Sequence, residues 1–132
     1  FARWLKFAGA NSAAGQLDID QGRHDLTGVD PRYAQLWMSY DFSPVQSGPG
    51  VMHMTFNTPL DPPVDDMGAP AYCGRTVFSD FHVTATALQD ASLPFPAACK
   101  LGQGLTDQEK ALVFMLFDLS SCVQSDNLPP IL

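Results

Sequence analysis

Phe1, Trp4, Leu5 and Ala8 recur at i, i+3, i+4 and i+7, which puts them on one face of a helix. Gly9 follows at the position where a left-handed residue ends a helix. A helix this short needs a partner surface, or more turns before Phe1, to be stable. The period then changes to two. Gln16 to Asp20 alternates, with Leu17 and Ile19 on one side, and predicts a short strand. From Gln35 to Tyr40, Leu36, Met38 and Tyr40 alternate against Trp37 and Ser39. From Val51 to Asn57, Met52, Met54 and Phe56 alternate against Val51, His53 and Thr55. These two strands are expected to pair antiparallel across the loop from Asp41 to Gly50, which carries Pro44 and Pro49.

Cys73 to Val83 predicts the central strand. Val77, Ser79, Phe81 and Val83 share one face; Thr76, Phe78, Asp80 and His82 share the other. Thr106-Asp-Gln-Glu109 is a capping box, and the helix it opens runs from Asp107 to Cys122. Ala111 to Phe117 and Leu119 make that helix apolar almost all round, so burial on more than one side is expected, with the central strand beneath it. Gln21 to Arg32 is a polar loop in which Asp30-Pro31 starts one helical turn. Thr58 to Tyr72 contains Pro59, Pro62, Pro63 and Pro70 and reads as a long, mobile surface loop. Thr84 to Gly104 is also loop, and Asn127, Pro129 and Pro130 end the structure. The pattern predicts an α/β (or α+β) fold: a small mixed sheet, a buried C-terminal helix and the N-terminal helix nearby. Residues 1–132 form a single domain or the C-terminal part of a larger one.

Composition narrows the function. Of 132 residues, 45% are hydrophobic and 16% charged, which argues for a folded chain. The net charge is -7 with seven Lys plus Arg and no basic stripe, which argues against nucleic acid and against an anionic membrane surface. No apolar run approaches the roughly 18–20 residues of a membrane span. A start at Phe1, not Met, implies a cleaved leader or more protein before it. Lysine is scarce (Lys6, Lys100 and Lys110), and with the Pro/Gly/Ser-rich loops this fits a secreted or cell-surface protein. In that setting Cys73, Cys99 and Cys122 leave one pair and one odd residue. If the strand runs up from Cys73 and the helix runs back down to Cys122, both cysteines finish at the same end, which favours a Cys73–Cys122 disulfide. Cys99–Cys122 is the rival pairing. The odd cysteine could bond to a segment outside this chain.

Polar chemistry gathers in the predicted central strand: Cys73, Arg75, Asp80 and His82. Asp80 and His82, two apart on a strand, read first as a structural hydrogen-bonded pair at a strand end, because proton transfer or metal binding, the alternative they suit, needs a third group that the sequence does not place. His53 is the natural third ligand of a divalent metal, with His24 and Asp25 more distant. The spacing matches no standard metal motif. Met52 and Met54 read as core rather than as copper ligands. No Gly-x-Ser-x-Gly elbow is present, and Gly102-Gln-Gly104 lacks the third glycine of a dinucleotide fingerprint. No catalytic residue and no cofactor is assigned; a divalent metal is the alternative.

Three segments carry a resemblance. They are Cys-Gly-Arg-x-Val-Phe-Ser-Asp-Phe-His-Val from Cys73, the Phe-Pro-x-x-Cys that ends at Cys99, and Leu-Thr-x-Gln-Glu-Lys-Ala-Leu-x-Phe-Met-Leu-Phe-Asp-Leu-Ser-Ser-Cys-Val from Leu105. Together with His53–Pro59 and Arg23–Asp25 they resemble the C-terminal region of large bacterial secreted or cell-surface proteins, some with carboxypeptidase-regulatory-like modules. More loosely, Gly74 to His82 followed by a helix is similar to the last strand and helix of the glutamine-amidotransferase-like fold. That likeness implies the C-terminal half of a three-layer, flavodoxin-like domain whose first half lies before Phe1. Active members have an acid two residues after the histidine; here Thr84 stands there, and no nucleophilic cysteine elbow is visible. The expected function is a non-catalytic structural or interaction module of a secreted assembly, its partners other segments of its precursor or copies of itself. The alternative is a divalent-metal-binding or degenerate hydrolase-like domain around Asp80 and His82.

Overall fold

The chain's structure is a computed structural model that describes residues 1–10, 15–19, 22–41, 49–83 and 104–120. Five elements follow in order: α1 (Ala2–Phe7), β1 (Ala34–Tyr40), β2 (Gly50–Thr58), β3 (Gly74–Ser79) and α2 (Asp107–Ser120). The chain groups into two compact units, Phe1–Gly22 with Phe81–Met115, and Arg23–Asp80 with Leu116–Leu132.

In the first unit α1 ends as its sequence predicts, with Gly9 at φ 69, a conformation a side chain would strain. The partner surface that so short a helix needs is α2. Phe1 and Trp4 pack their rings against Phe114 with centroids 4.7 and 5.6 Å apart, and Leu5 is buried. Lys110 Nζ donates to the Gly9 carbonyl at 2.8 Å, occupying an acceptor at the end of α1. The capping box forms as expected: Thr106 N–H donates to Glu109 Oε2 and Glu109 N–H donates to Thr106 Oγ1. Residues 16–19 form no strand, contrary to their alternation. Two apolar positions stabilise a strand only when a neighbouring strand pairs with it.

The second unit holds a three-stranded sheet in the order β1-β2-β3, antiparallel throughout. The mixed sheet expected from sequence is therefore an antiparallel one, and its centre is β2, not the segment from Cys73. That segment is strand only over Gly74–Ser79 and lies at the edge. β2 is longer and is paired on both sides, which buries most of its residues. Its central place was masked because one of its faces is polar. Pairing of β1 with β2 slips on either side of Met38, so Trp37 stands as an extra residue on β1. Its indole Nε1–H donates to Thr55 Oγ1 at 2.8 Å.

α2 is less enclosed than its composition suggests. Gln108, Ala111, Phe114, Met115 and Asp118 form the buried stripe, while Leu116, Phe117 and Leu119 are exposed. Burial follows one helical face, as partner surfaces dictate, and not the distribution of apolar residues. Asp30–Pro31 opens a single turn, as expected, with the Asp30 carbonyl accepting from Tyr33 and Ala34.

Candidate functional site

Asp80 follows β3 and is buried. Its N–H donates to the Met52 carbonyl at 3.0 Å, so it stands opposite Met52 across the sheet. Its carboxylate faces the Arg23-His24-Asp25 segment: Oδ2 accepts the Asp25 N–H at 2.9 Å, and Arg23 Nε lies 4.0 Å from Oδ1. The Asp80 carbonyl also accepts the Arg23 N–H at 2.8 Å. Asp80 thus ties a polar loop to the end of the sheet. His24 belongs to the same loop and places Nε2 2.7 Å from the Pro49 carbonyl. His82 is exposed, and its carbonyl accepts a hydrogen bond from Gln108 Nε2 in the first unit. Among the described residues no bond joins Asp80 to His82.

His53 is fully buried on β2 and pairs in register with Ser79. Neighbouring residues of a strand face opposite ways, so His53 and Asp80 lie on opposite faces of the sheet. The three candidate ligands therefore do not share a face. Among the described residues no group of three His, Cys, Asp or Glu side chains could hold a metal ion. Cys73 is exposed just before β3; Cys122 and Cys99, and with them both expected disulfide pairings, lie outside the described residues.

The His53 face of the sheet carries a cluster that the sequence pattern did not bring together. His53, Thr55 and Asn57 line β2 and are all buried. Arg75, opposite Asn57 on β3, donates through Nε to Asn57 Oδ1 at 3.0 Å and through Nη1 to Asp118 Oδ1 at 2.8 Å. The Arg75 and Asp118 side chains are 5% and 0% exposed, so the ion pair is out of water. Asp118 sits in the last turn of α2, where the helix dipole disfavours a negative charge, and Arg75 supplies the cation the position requires. Burial pushes the His53 imidazole below its ordinary value, against smaller opposing effects of the Phe78 carbonyl and the Asp118 charge. The neutral ring places Nδ1 3.1 Å from the Phe78 carbonyl, which assigns its proton to that nitrogen. Groups this deeply buried hold the last turns of α2 to the sheet. Asp118 was the residue overlooked. Its signal was a lone carboxylate inside Val-Phe-Met-Leu-Phe-Asp-Leu, on the same helical face as Ala111 and Met115.

The exposed counterpart is the segment from Pro59 to Cys73, a long excursion folded on itself by its own hydrogen bonds. Its base is closed by Cys73 N–H to the Thr58 carbonyl at 2.7 Å and by Ala71 N–H to the Pro63 carbonyl at 2.8 Å. Val64 and Pro70 pair as an isolated antiparallel bridge. At the tip, Asp65 Oδ1 accepts from both Met67 N–H (2.9 Å) and Ala69 N–H (2.8 Å). Asp65 N–H bonds to the Ala69 carbonyl, Gly68 N–H bonds to the Asp65 carbonyl, and Gly68 takes φ 80 to turn the chain. On this pinned frame Leu60, Val64 and Met67 are 49%, 69% and 93% exposed. Proline count alone suggested mobility; the Asp-x-x-Gly spacing of Asp65 and Gly68 was the sequence signal for a turn.

Comparison of the chain with protein-family models, with curated proteins and with solved structures finds no match. Among the described residues no helix is long and apolar enough to cross a membrane.

Proposed function

We propose that the chain is a non-catalytic interaction module of a secreted or cell-surface bacterial assembly, and that the Pro59–Cys73 loop is its contact surface. The observation that carries this reading is the exposure of Val64 and Met67 on a loop held by its own hydrogen bonds. Exposed apolar side chains on an ordered frame are what a binding surface uses. The entropy of ordering is lost at folding and not again at association. The frame is attached directly to β2 and β3, so its position is set by the sheet.

Other segments of the precursor, or further copies of the chain, are the natural partners of such a module. The resemblance to C-terminal regions of bacterial surface proteins is consistent with that role. A three-layer, flavodoxin-like domain completed by sequence before Phe1 is the larger architecture we propose for it. A photo-activated cross-linker at position 67 of the whole encoded protein, in its native host, tests the reading. A discrete adduct from position 67, absent when the cross-linker stands at exposed Arg32, is the expected result. Identical adduct patterns from the two positions, or none from position 67, would sink it.

A further inference from the structure

Resting on the reading of the Pro59–Cys73 loop as a contact surface, we infer that its partner is a protein surface with an apolar pocket rimmed by lysine and arginine. Thr58 to Tyr72 holds Asp61, Asp65 and Asp66 and no basic residue. Asp65 is turned to the loop's own amides. Asp61 and Asp66 are exposed, and among the described residues no hydrogen bond engages either carboxylate. Exposed Leu60, Val64 and Met67 alternate with them along the loop, so the loop presents apolar side chains interspersed with carboxylates that no described residue neutralises. Seating the tip in a pocket brings Asp61 and Asp66 to the pocket's rim. There a cation is attracted and an anion repelled. A second copy of this chain meeting loop to loop would set the same carboxylates against each other, on molecules of net charge -7. Charge therefore selects a basic partner over self-association through this loop. Met67 suits the pocket because its unbranched thioether adapts to the shape it meets.

The probe is a pair of fluorescent 15-residue peptides, one built from lysine and leucine, the other with glutamate replacing lysine. Anisotropy is measured with the full chain at low and at moderate salt. The lysine peptide is expected to bind, more weakly as salt rises, and the glutamate peptide to bind at least about tenfold more weakly. Val64→Ser with Met67→Ser should weaken lysine-peptide binding about tenfold, and Asp61→Asn with Asp66→Asn should weaken it severalfold and flatten its salt dependence. Circular dichroism confirms that both double variants keep the wild-type fold. Loss with the serine pair but not the asparagine pair overturns the basic-partner inference and leaves the contact-surface reading standing. Wild-type binding by the serine pair overturns both. No binding of the lysine peptide, or self-association that the serine pair abolishes, overturns the inference.

Discussion

Removing the Arg75 charge should be the most damaging single change in the sheet. Arg75→Met keeps an unbranched apolar stem, shorter than the arginine, and strands Asp118, which is 1% exposed and sits at the wrong end of a helix for an anion. Two charges about 4 Å apart at an effective dielectric near 20 attract by about 4 kcal/mol. Breaking one side of a buried pair costs about 3–5 kcal/mol, because the remaining charge keeps its desolvation penalty. The variant also loses the Nε–H bond to Asn57 Oδ1. Against a total stability of about 5–15 kcal/mol for a domain of this size, that is a large fraction. Asp118→Leu strands the guanidinium in the same way and should cost a similar amount. The double variant Arg75→Met with Asp118→Leu buries no charge and should return to within about 1–2 kcal/mol of wild type. Urea unfolding followed by circular dichroism, with the slope checked for constancy, measures all four corners of the cycle. If Arg75→Met costs less than about 1 kcal/mol, or if the two single changes simply add, the pair is not the structural tie described.

Three further outcomes follow from the same structure. The His53 imidazole is held below its ordinary value of about 6.5, so the folded chain binds this proton less well than the unfolded one. Stability from this group is full above pH 6.5 and is lost as pH falls below it, and His53→Gln should flatten that part of a stability–pH curve. An unchanged slope in the variant would show that other groups set it. Thr106→Ala removes the hydroxyl that accepts the Glu109 N–H and should cost about 1 kcal/mol in thermal unfolding, with Thr106→Ser restoring most of it. Asp65→Ala removes the acceptor of the Met67 and Ala69 amides, so those two amides should exchange with solvent much faster by NMR while β2 amides stay protected. Equal protection before and after would mean that the loop is held by its backbone bonds alone.

Local chemistry was legible in the sequence wherever neighbouring residues decide the outcome. The capping box at Thr106, the stop at Gly9, the turn at Asp30 and the β1–β2 pair all rest on contacts within a few residues or on strict alternation. The order of the strands was not legible, because pairing depends on partners far along the chain. A polar face on β2 reads as solvent-facing until Arg75 and Asp118 are known to meet it.

The sequence by itself determined α1, β1, β2, the start of α2 and the middle of β3, though not the absence of a strand at residues 16–19, and it singled out Arg75, His53 and Asp80 as polar residues in apolar company. Only the tertiary structure decided what each one meets. Alternation on paired strands sets His53 and Asp80 on opposite faces, so they do not make one site. Register sets Arg75 opposite Asn57, and the last turn of α2 brings Asp118 to it. The Asp65 hydrogen bonds convert a proline-rich stretch into a fixed surface. For the buried residues the physical reason is that burial removes water and leaves a charge or donor only protein partners, and burial is a property of the packed chain. For exposed Asp65 it is the turn, which brings two backbone amides to one carboxylate oxygen.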